Sequence, residues 1–427
     1  MITSLYEKFV ASGQVSTDTR QIAKGSIFFA LKGERFNANQ FAQQALEKGA
    51  AYAVIDEAEY QQDERYILVD DTLQMLQDLA HHHRMTLDIP VIGINGTNGK
   101  TTTKELLHAV LSKKYRTLAT VGNLNNHIGV PLTLLKLTPD TEIAIIELGA
   151  NHVGEIARLC AIAHPTHGLT TNIGKAHMEG FGGLEGAIRG ESEQYDYLRK
   201  TNGVVFINSQ DKLLHNMSKR FTQPYFYPAS GDYFHCELLS ADPFVTYQAE
   251  GGEPVETQLI GAYNFENIVA ALCIGKYFEV PMSDANEAVR AYQPTNKRSQ
   301  VVKQGSHTII LDAYNANPDS MQAAIRNLEA MRAPRKVVIL GDMYELGEDT
   351  VAEHRALGEL LAQSTISAIL LCGPLMQDAH DACPDSLHFA DKEALKNYLH
   401  DHSLADSTIL IKGSRGMAME TLIESLP

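Results

Sequence analysis

Apolar and polar positions run along the chain in three successive blocks, each mixing short strand-like runs with helix-like stretches. The first block, residues 1–85, carries the β-like runs "GSIFFAL", "AAYAVID" and "RYILVD" around a helix-like segment from Asn39 to Lys48. That is the pattern of a small α/β unit. The second block, 86–298, opens on "DIPVIGING" and continues through "AIIELGA", "HGLTTNIG" and "GVVFIN". Runs that are apolar throughout suit strands buried on both faces, so a parallel sheet covered by helices is expected. A polar, proline-containing stretch from Ala291 to Gln300 reads as a linker. In the third block, 299–427, "HTIILDAYNANP", "KVVILGDM", "AILLCG" and "STILIKGSRG" alternate with helical stretches and predict a second doubly wound sheet. The expected fold class is α/β, three domains in a row.

Composition narrows the functions open to such a chain. A formal charge of −16 argues against nonspecific binding to nucleic acid or to an anionic membrane, because such partners need a basic surface. Recognition of phosphate must therefore be local. No apolar run reaches the roughly 18 residues of a membrane span, and "MITSLYEKFVASGQ" lacks the cationic flank and apolar core of a secretory signal. A cytoplasmic monomer is the expectation. The five cysteines are odd in number and never spaced as CxxC, so they read as reduced packing residues. The consecutive His81, His82 and His83 point about 100° apart on a helix and cannot converge on one metal ion; a solvated helix end is expected.

One stretch concentrates chemistry. In "VIGINGTNGKTTTKELLHAVL", Val91 to Ile94 suit a buried strand, and Leu106, Leu107, Val110 and Leu111 share one helical face. Between strand and helix, Gly96, Thr97, Asn98, Gly99, Lys100, Thr101 and Thr102 form a loop whose backbone amides crowd around an anion at a helix start. Lys100 is placed to reach the β and γ phosphates of ATP, and the Thr101 hydroxyl to hold Mg²⁺. The strict phosphate-loop pattern asks for glycine where this chain has Ile94. The run "AIIELGA" delivers Glu147 to a strand's carboxyl end, where an acid that helps to hold the metal belongs. "TNIGKAHMEGFGG" carries His177, which alone is an ordinary loop histidine.

The segments "GTNGKTTT", "TVGNLNNHIGVPLTLL", "ELGANHVGEI", "NIGKAHMEGFGG", "GAYNFENIVAAL", "DAYNANPDSM", "ILGDMYELGE" and "IKGSRGMAME" occur in this order and together resemble the Mur ligases, over nearly the whole chain. The resemblance implies an N-terminal UDP-sugar domain, a central phosphate-loop ATPase domain and a C-terminal Rossmann-like domain. It implies an ATP- and Mg²⁺-dependent ligase whose partners are UDP-N-acetylmuramoyl-tripeptide and D-alanyl-D-alanine. Lys100, Glu147 and His177 take catalytic roles by this resemblance, with metal near Thr101, Glu147 and His177. The family's carbamylated lysine falls, counting without gaps, on Glu191, a departure in which glutamate offers a carboxylate directly; a solvated helix charge is the other reading. Asn267, Asp312, Asn315 and Asn317 are implied near the nucleotide, although "YNANP" is also a good turn sequence. Arg298 is placed to sense closure onto ATP and reads equally as a surface arginine. Lys412, Ser414 and Arg415 are assigned to the incoming dipeptide or phosphate. Asp18, Arg20 and Lys32 are assigned to the UDP-sugar, and Asn125, Asn126 and His127 to the sugar-peptide. Hinge closure about two linkers is expected to exclude water. A sibling ligase of the same family, or a nucleotide-binding module without catalysis, stays open.

Overall fold

The computed structural model describes residues 1–402, 404 and 406–426. The first block forms a four-stranded parallel sheet in the order Val15–Ser16, Ile27–Phe29, Tyr52–Ile55, Tyr66–Leu68. The expected helix is there as Ala42–Glu47, entered through a 3-10 turn, Ala38–Phe41. The second block builds a six-stranded parallel sheet in the order Tyr225–Tyr227, Val204–Asn208, His167–Thr170, Val91–Asn95, Ile143–Glu147, Thr117–Ala119. The strand Val91–Asn95 is buried at all five positions, as a central strand covered on both faces must be. The third block has six strands in the order Gln300–Gln304, His307–Asp312, Thr408–Lys412, Lys336–Gly341, Ala368–Cys372, Leu387–Phe389. Only the pairing of the first two of these is antiparallel.

Two features lie beyond the expected pattern. An antiparallel sheet of Cys236–Ser240, Phe244–Ala249 and Val255–Ile260 is inserted in the second block. Its middle strand alternates half-buried and buried positions, the period of a sheet with one covered face. The second feature corrects the reading of the histidine triplet. His83 is buried, with Nε2 2.9 Å from the Leu137 carbonyl, and His81 Nδ1 lies 3.2 Å from the Ile162 carbonyl. His82 meets the Tyr6 ring edge-on at 4.6 Å. The rings do diverge, but this helix end, Thr72–Met85, is packed against the second block instead of solvated.

That packing matters for the site. Leu5, Phe9, Leu76 and Leu79 of the first block share one buried cluster with Val91, Ala144, Ile146 and Leu148 of the second. The third block keeps its own clusters on the two faces of its sheet, into one of which Met178 and Ile260 reach. All five cysteines are buried and free, and burial raises the thiols of Cys160, Cys236 and Cys273 well above their usual range. No helix among the described residues is long and apolar enough to cross a membrane.

Candidate active site

The loop after Val91–Asn95 is shaped by two glycines. Gly96 has φ +124° and Gly99 +84°, and a Cβ on either would lie 2.3 Å from a neighbour, Thr171 Oγ1 or Asn267 Oδ1. Both conformation and space therefore exclude a side chain. Ile94, by contrast, is a core position in register with Leu169 on one side and Glu147 on the other. The strict pattern's glycine has no purpose there. The amides of Thr97 and Asn98 are taken by Asn172, at 2.9 and 3.0 Å. Those that open the helix Lys100–Leu111 have no carbonyl behind them and no side-chain cap, which leaves a positive helix end facing open space. Lys100 curls back, its Nζ donating to the carbonyls of Gly96 and Thr97.

Adjacent parallel strands bring Glu147 beside this loop. Its Oε1 accepts hydrogen bonds from Asn125 Nδ2 at 2.8 Å and Thr101 Oγ1 at 3.2 Å. Its Oε2 is buried and accepts none, with the Lys104 ammonium 3.7 Å away. A buried carboxylate oxygen left open beside a threonine hydroxyl fits a hard divalent cation, which favours one or two carboxylates completed by water and phosphate oxygens. His177 stands apart from this pair. Held at a positive φ of 51°, it turns Nδ1 onto Glu345 Oε2 of the third block. Burial holds its imidazole below the usual value; Glu345 pulls it up and Lys100 pushes it down.

Glu191 is not a solvated helix charge. It is buried, and its Oε2 accepts from the Gly96 amide at 2.9 Å and Asn95 Nδ2 at 2.8 Å, so this carboxylate anchors the loop. Burial pushes its carboxyl up, while Lys100 and these two hydrogen bonds pull it down. In this arrangement Thr101 and Glu147 lie together, whereas His177 is occupied by Glu345 and Glu191 by the loop. Among the described residues no group of three or more His, Cys, Asp or Glu is gathered to hold a metal.

The third block forms the facing wall. Asn317 caps the helix Pro318–Ala330 and exchanges hydrogen bonds with Asn98 of the loop, Nδ2 donating at 2.9 Å. Asp312 accepts from Lys412 Nζ at 2.6 Å and the Ser299 amide at 3.1 Å. Lys412 also reaches the Asn315 carbonyl, and Ser414 Oγ takes the Tyr344 amide. Of the "KGSR" residues only Arg415 is exposed. It donates to the Tyr314 hydroxyl at 2.9 Å, while the Arg298 guanidinium lies 3.8 Å from the centre of the same ring. Asn267 sits under Gly99 and accepts from Thr103 Oγ1 at 3.0 Å.

Between the walls lies a cavity of about 850 Å³. The loop residues Thr97 to Thr102, Glu147, His177, Asn267, Arg298, Asp312, Asn315, Asn317, Lys412, Ser414 and Arg415 all line it, as do Asn125, Asn126 and His127. Gly96 of the loop, Glu191 behind it, and Asp18, Arg20 and Lys32 are outside the lining. In the first block Asp18 is chelated by Arg20, which depresses its carboxyl to about 2, and Lys32 pairs with Asp56 at 3.1 Å and Glu57 at 3.5 Å. The residues not foreseen are Lys104, Tyr314, Asp319 and Glu345; the last two join the walls, Asp319 by accepting the Lys175 amide at 2.7 Å.

The comparisons with known proteins follow the same three-part division. The Mur ligase middle domain matches residues 94–275, the Mur ligase glutamate ligase domain 297–415, and the Mur ligase family catalytic domain 13–84. The chain is 35% identical to the UDP-N-acetylmuramoyl-tripeptide–D-alanyl-D-alanine ligase of Bacillus subtilis, covering 99% of this chain and 94% of that one. Its identity to the Escherichia coli enzyme of the same name is 34%, over 96% and 93%. The crystal structure of MurF from Acinetobacter baumannii superposes with a TM-score of 0.87 at 33% identity, covering 97% and 93%. MurF ligase from Thermotoga maritima, solved in complex with ADP, gives 0.86 at 26% identity, covering 97% of each chain. Three family models that together span most of the chain, with relatives of more than 30% identity over nearly its full length, show that the chain belongs to the Mur ligase family.

Proposed function

We propose that the chain is an ATP-dependent ligase that joins D-alanyl-D-alanine to UDP-N-acetylmuramoyl-tripeptide through an acyl phosphate, giving the pentapeptide with ADP and phosphate. One observation carries this reading: the loop, Lys100 and Glu147 form one wall of a cavity whose other wall bears the cationic Arg298 and Arg415. The names of the Bacillus subtilis and Escherichia coli relatives and the ADP complex of the Thermotoga maritima protein support it.

A carboxylate is a poor electrophile, so its coupling to an amine in water needs activation. Transfer of the γ-phosphoryl group to the tripeptide's terminal carboxylate supplies it, and the dipeptide's amine then expels phosphate. Such a transfer asks the protein for positioning and charge neutralisation. The loop amides and Lys100 hold the phosphates, and the open oxygen of Glu147 with Thr101 Oγ1 would hold Mg²⁺, which adds positive charge there when bound. Asn125 fixes Glu147 from the side expected to face the sugar-peptide. Arg415, exposed beside Tyr314, is the group that meets the dipeptide's own carboxylate. Contact between the second and third domains keeps water from the acyl phosphate. Glu191, anchoring the loop where the family's carbamylated lysine falls, supplies its carboxylate without CO₂.

A phosphate-release assay tests this. Release is expected only with ATP, UDP-N-acetylmuramoyl-tripeptide and D-alanyl-D-alanine together, at the same rate in CO₂-depleted buffer. Lys100→Ala is expected to lower turnover by about 10²–10³-fold. Undiminished turnover in that variant removes the loop from the chemistry. Release with another amine acceptor instead points to a sibling ligase, no release at all to a binding module, and dependence on added CO₂ removes the role given to Glu191.

A further inference from the structure

One buried cation beside the site has no part in the reaction as described. Lys104, 2% exposed, lies one helical turn beyond Lys100. A lysine is almost never buried without a partner, and this one stands between two carboxylates. Its Nζ is 3.7 Å from Glu147 Oε2 and 3.9 Å from Glu105 Oε1. The Glu147 oxygen it faces is the one that accepts no hydrogen bond, while the other is held by Asn125 and Thr101. Glu105 is bound from its far side by the segment leading to the third domain, accepting from the Tyr292 hydroxyl at 2.5 Å and Asn296 Nδ2 at 3.0 Å.

We propose that Lys104 is the resident counter-cation of Glu147. It is a positioning residue that holds this carboxylate between turnovers and opposes the binding of a bare divalent cation, so that Glu147 takes its metal together with nucleotide. The reasoning is electrostatic and rests on the reading that Glu147 carries the metal. A lone divalent ion on Oε2 would share a buried space with an ammonium a few ångströms away, where repulsion is strong and little screened. A metal that arrives with a triphosphate brings negative charge that offsets the repulsion. Glu105 sets how much of the ammonium's field Glu147 feels, because the same Nζ leans on both.

Manganese(II) chloride alone, titrated into the full-length unliganded protein by calorimetry, tests this. Lys104→Met is expected to bind Mn²⁺ at least about tenfold tighter than the unsubstituted chain, and Lys104→Arg to return affinity to within about threefold. Glu105→Gln is expected to bind several-fold more weakly, because Lys104 then leans on Glu147 alone. A lysine that only filled space would give weaker binding, if any change, on its removal. Equal or weaker binding by Lys104→Met overturns the proposal; if that variant does not fold, equal or tighter binding by Glu105→Gln overturns it. Glu147→Gln keeps the two readings apart. Loss of Mn²⁺ binding there with no gain in Lys104→Met defeats the role of Lys104 alone, whereas unchanged binding by Glu147→Gln defeats the metal reading of Glu147 itself.

Discussion

The second domain meets its two neighbours in opposite ways. Against the first it buries Leu5, Phe9, Leu76 and Leu79 in a common apolar cluster and accepts Arg84 onto the carbonyls of Ala163 and His164. Against the third it makes polar pairs around a cavity: Asn98 with Asn317, Lys175 with Glu353 at 2.5 Å, and His177 with Glu345. The linker adds Lys297 with Glu420 at 2.7 Å, and Met178 and Ile260 are apolar inserts. Separating surfaces that share buried apolar area costs free energy in proportion to the area exposed, while half-exposed ion pairs exchange for water at little net cost. The first and second domains therefore share an apolar core as one body, and the third is docked on it mainly through polar contacts.

The largest effect is expected where the body is fused. Leu79 is fully buried in the shared cluster, and Leu79→Ala should cost about 2–5 kcal/mol. The loss should not stay in the first domain. Amide exchange is expected to rise together in the strands Ile27–Phe29 and Val91–Asn95. Faster exchange confined to the first of these would show two separable bodies and undo the contrast.

Acid offers a second probe of the same body. His167 stacks on Phe206 and lies against Tyr277 and Phe278, and burial among these rings lowers its imidazole from 6.5 to about 4. The unfolded chain binds this proton near pH 6.5, whereas the folded chain refuses it until about 4. Stability from this group is therefore whole above pH 6.5 and falls as pH drops through that window, by about 3 kcal/mol in all. His167→Gln should flatten the difference between denaturant melts at pH 7 and pH 4.5. Equal acid sensitivity in both chains would discharge His167 from this role.

The order of three α/β blocks and the phosphate loop were legible in the sequence because each rests on local chemistry, whereas the apolar fusion of the first two blocks, where a linker and a hinge were expected, was not. Gly96 and Gly99 announce a backbone that no other residue adopts in that space, and the apolar run before Glu147 fixes a strand end. What escaped depends on packing between distant segments. Lys104 is one more charge on a helix until the body's fold buries it beside Glu147. Glu345 and Asp319 meet His177 and Lys175 only through docking of a domain more than a hundred residues away. The histidine triplet looked solvated because nothing local shows that the Leu137 and Ile162 carbonyls await it. The inserted antiparallel sheet, by contrast, left a readable trace in the alternation of Phe244–Ala249.

The smallest effect on stability is expected at the docked interface, and it sharpens the comparison most. Lys175 and Glu345 have side chains 44% and 54% exposed, and pairs of this kind contribute about 0–1 kcal/mol each. The double substitution Lys175→Ala with Glu345→Gln should thus leave the melting temperature almost where it was. It should still shift the unliganded chain toward a more open arrangement, because it removes two of the polar links that hold these walls together. Small-angle scattering is the measurement: a larger radius of gyration in the variant, recovered when ATP analogue and UDP-N-acetylmuramoyl-tripeptide are both added. If the variant instead melts as early as Leu79→Ala, the third domain is fused like the first. If its scattering matches the unsubstituted chain with and without ligands, these pairs do not govern closure, and Asn98 with Asn317 at the loop itself becomes the contact that does.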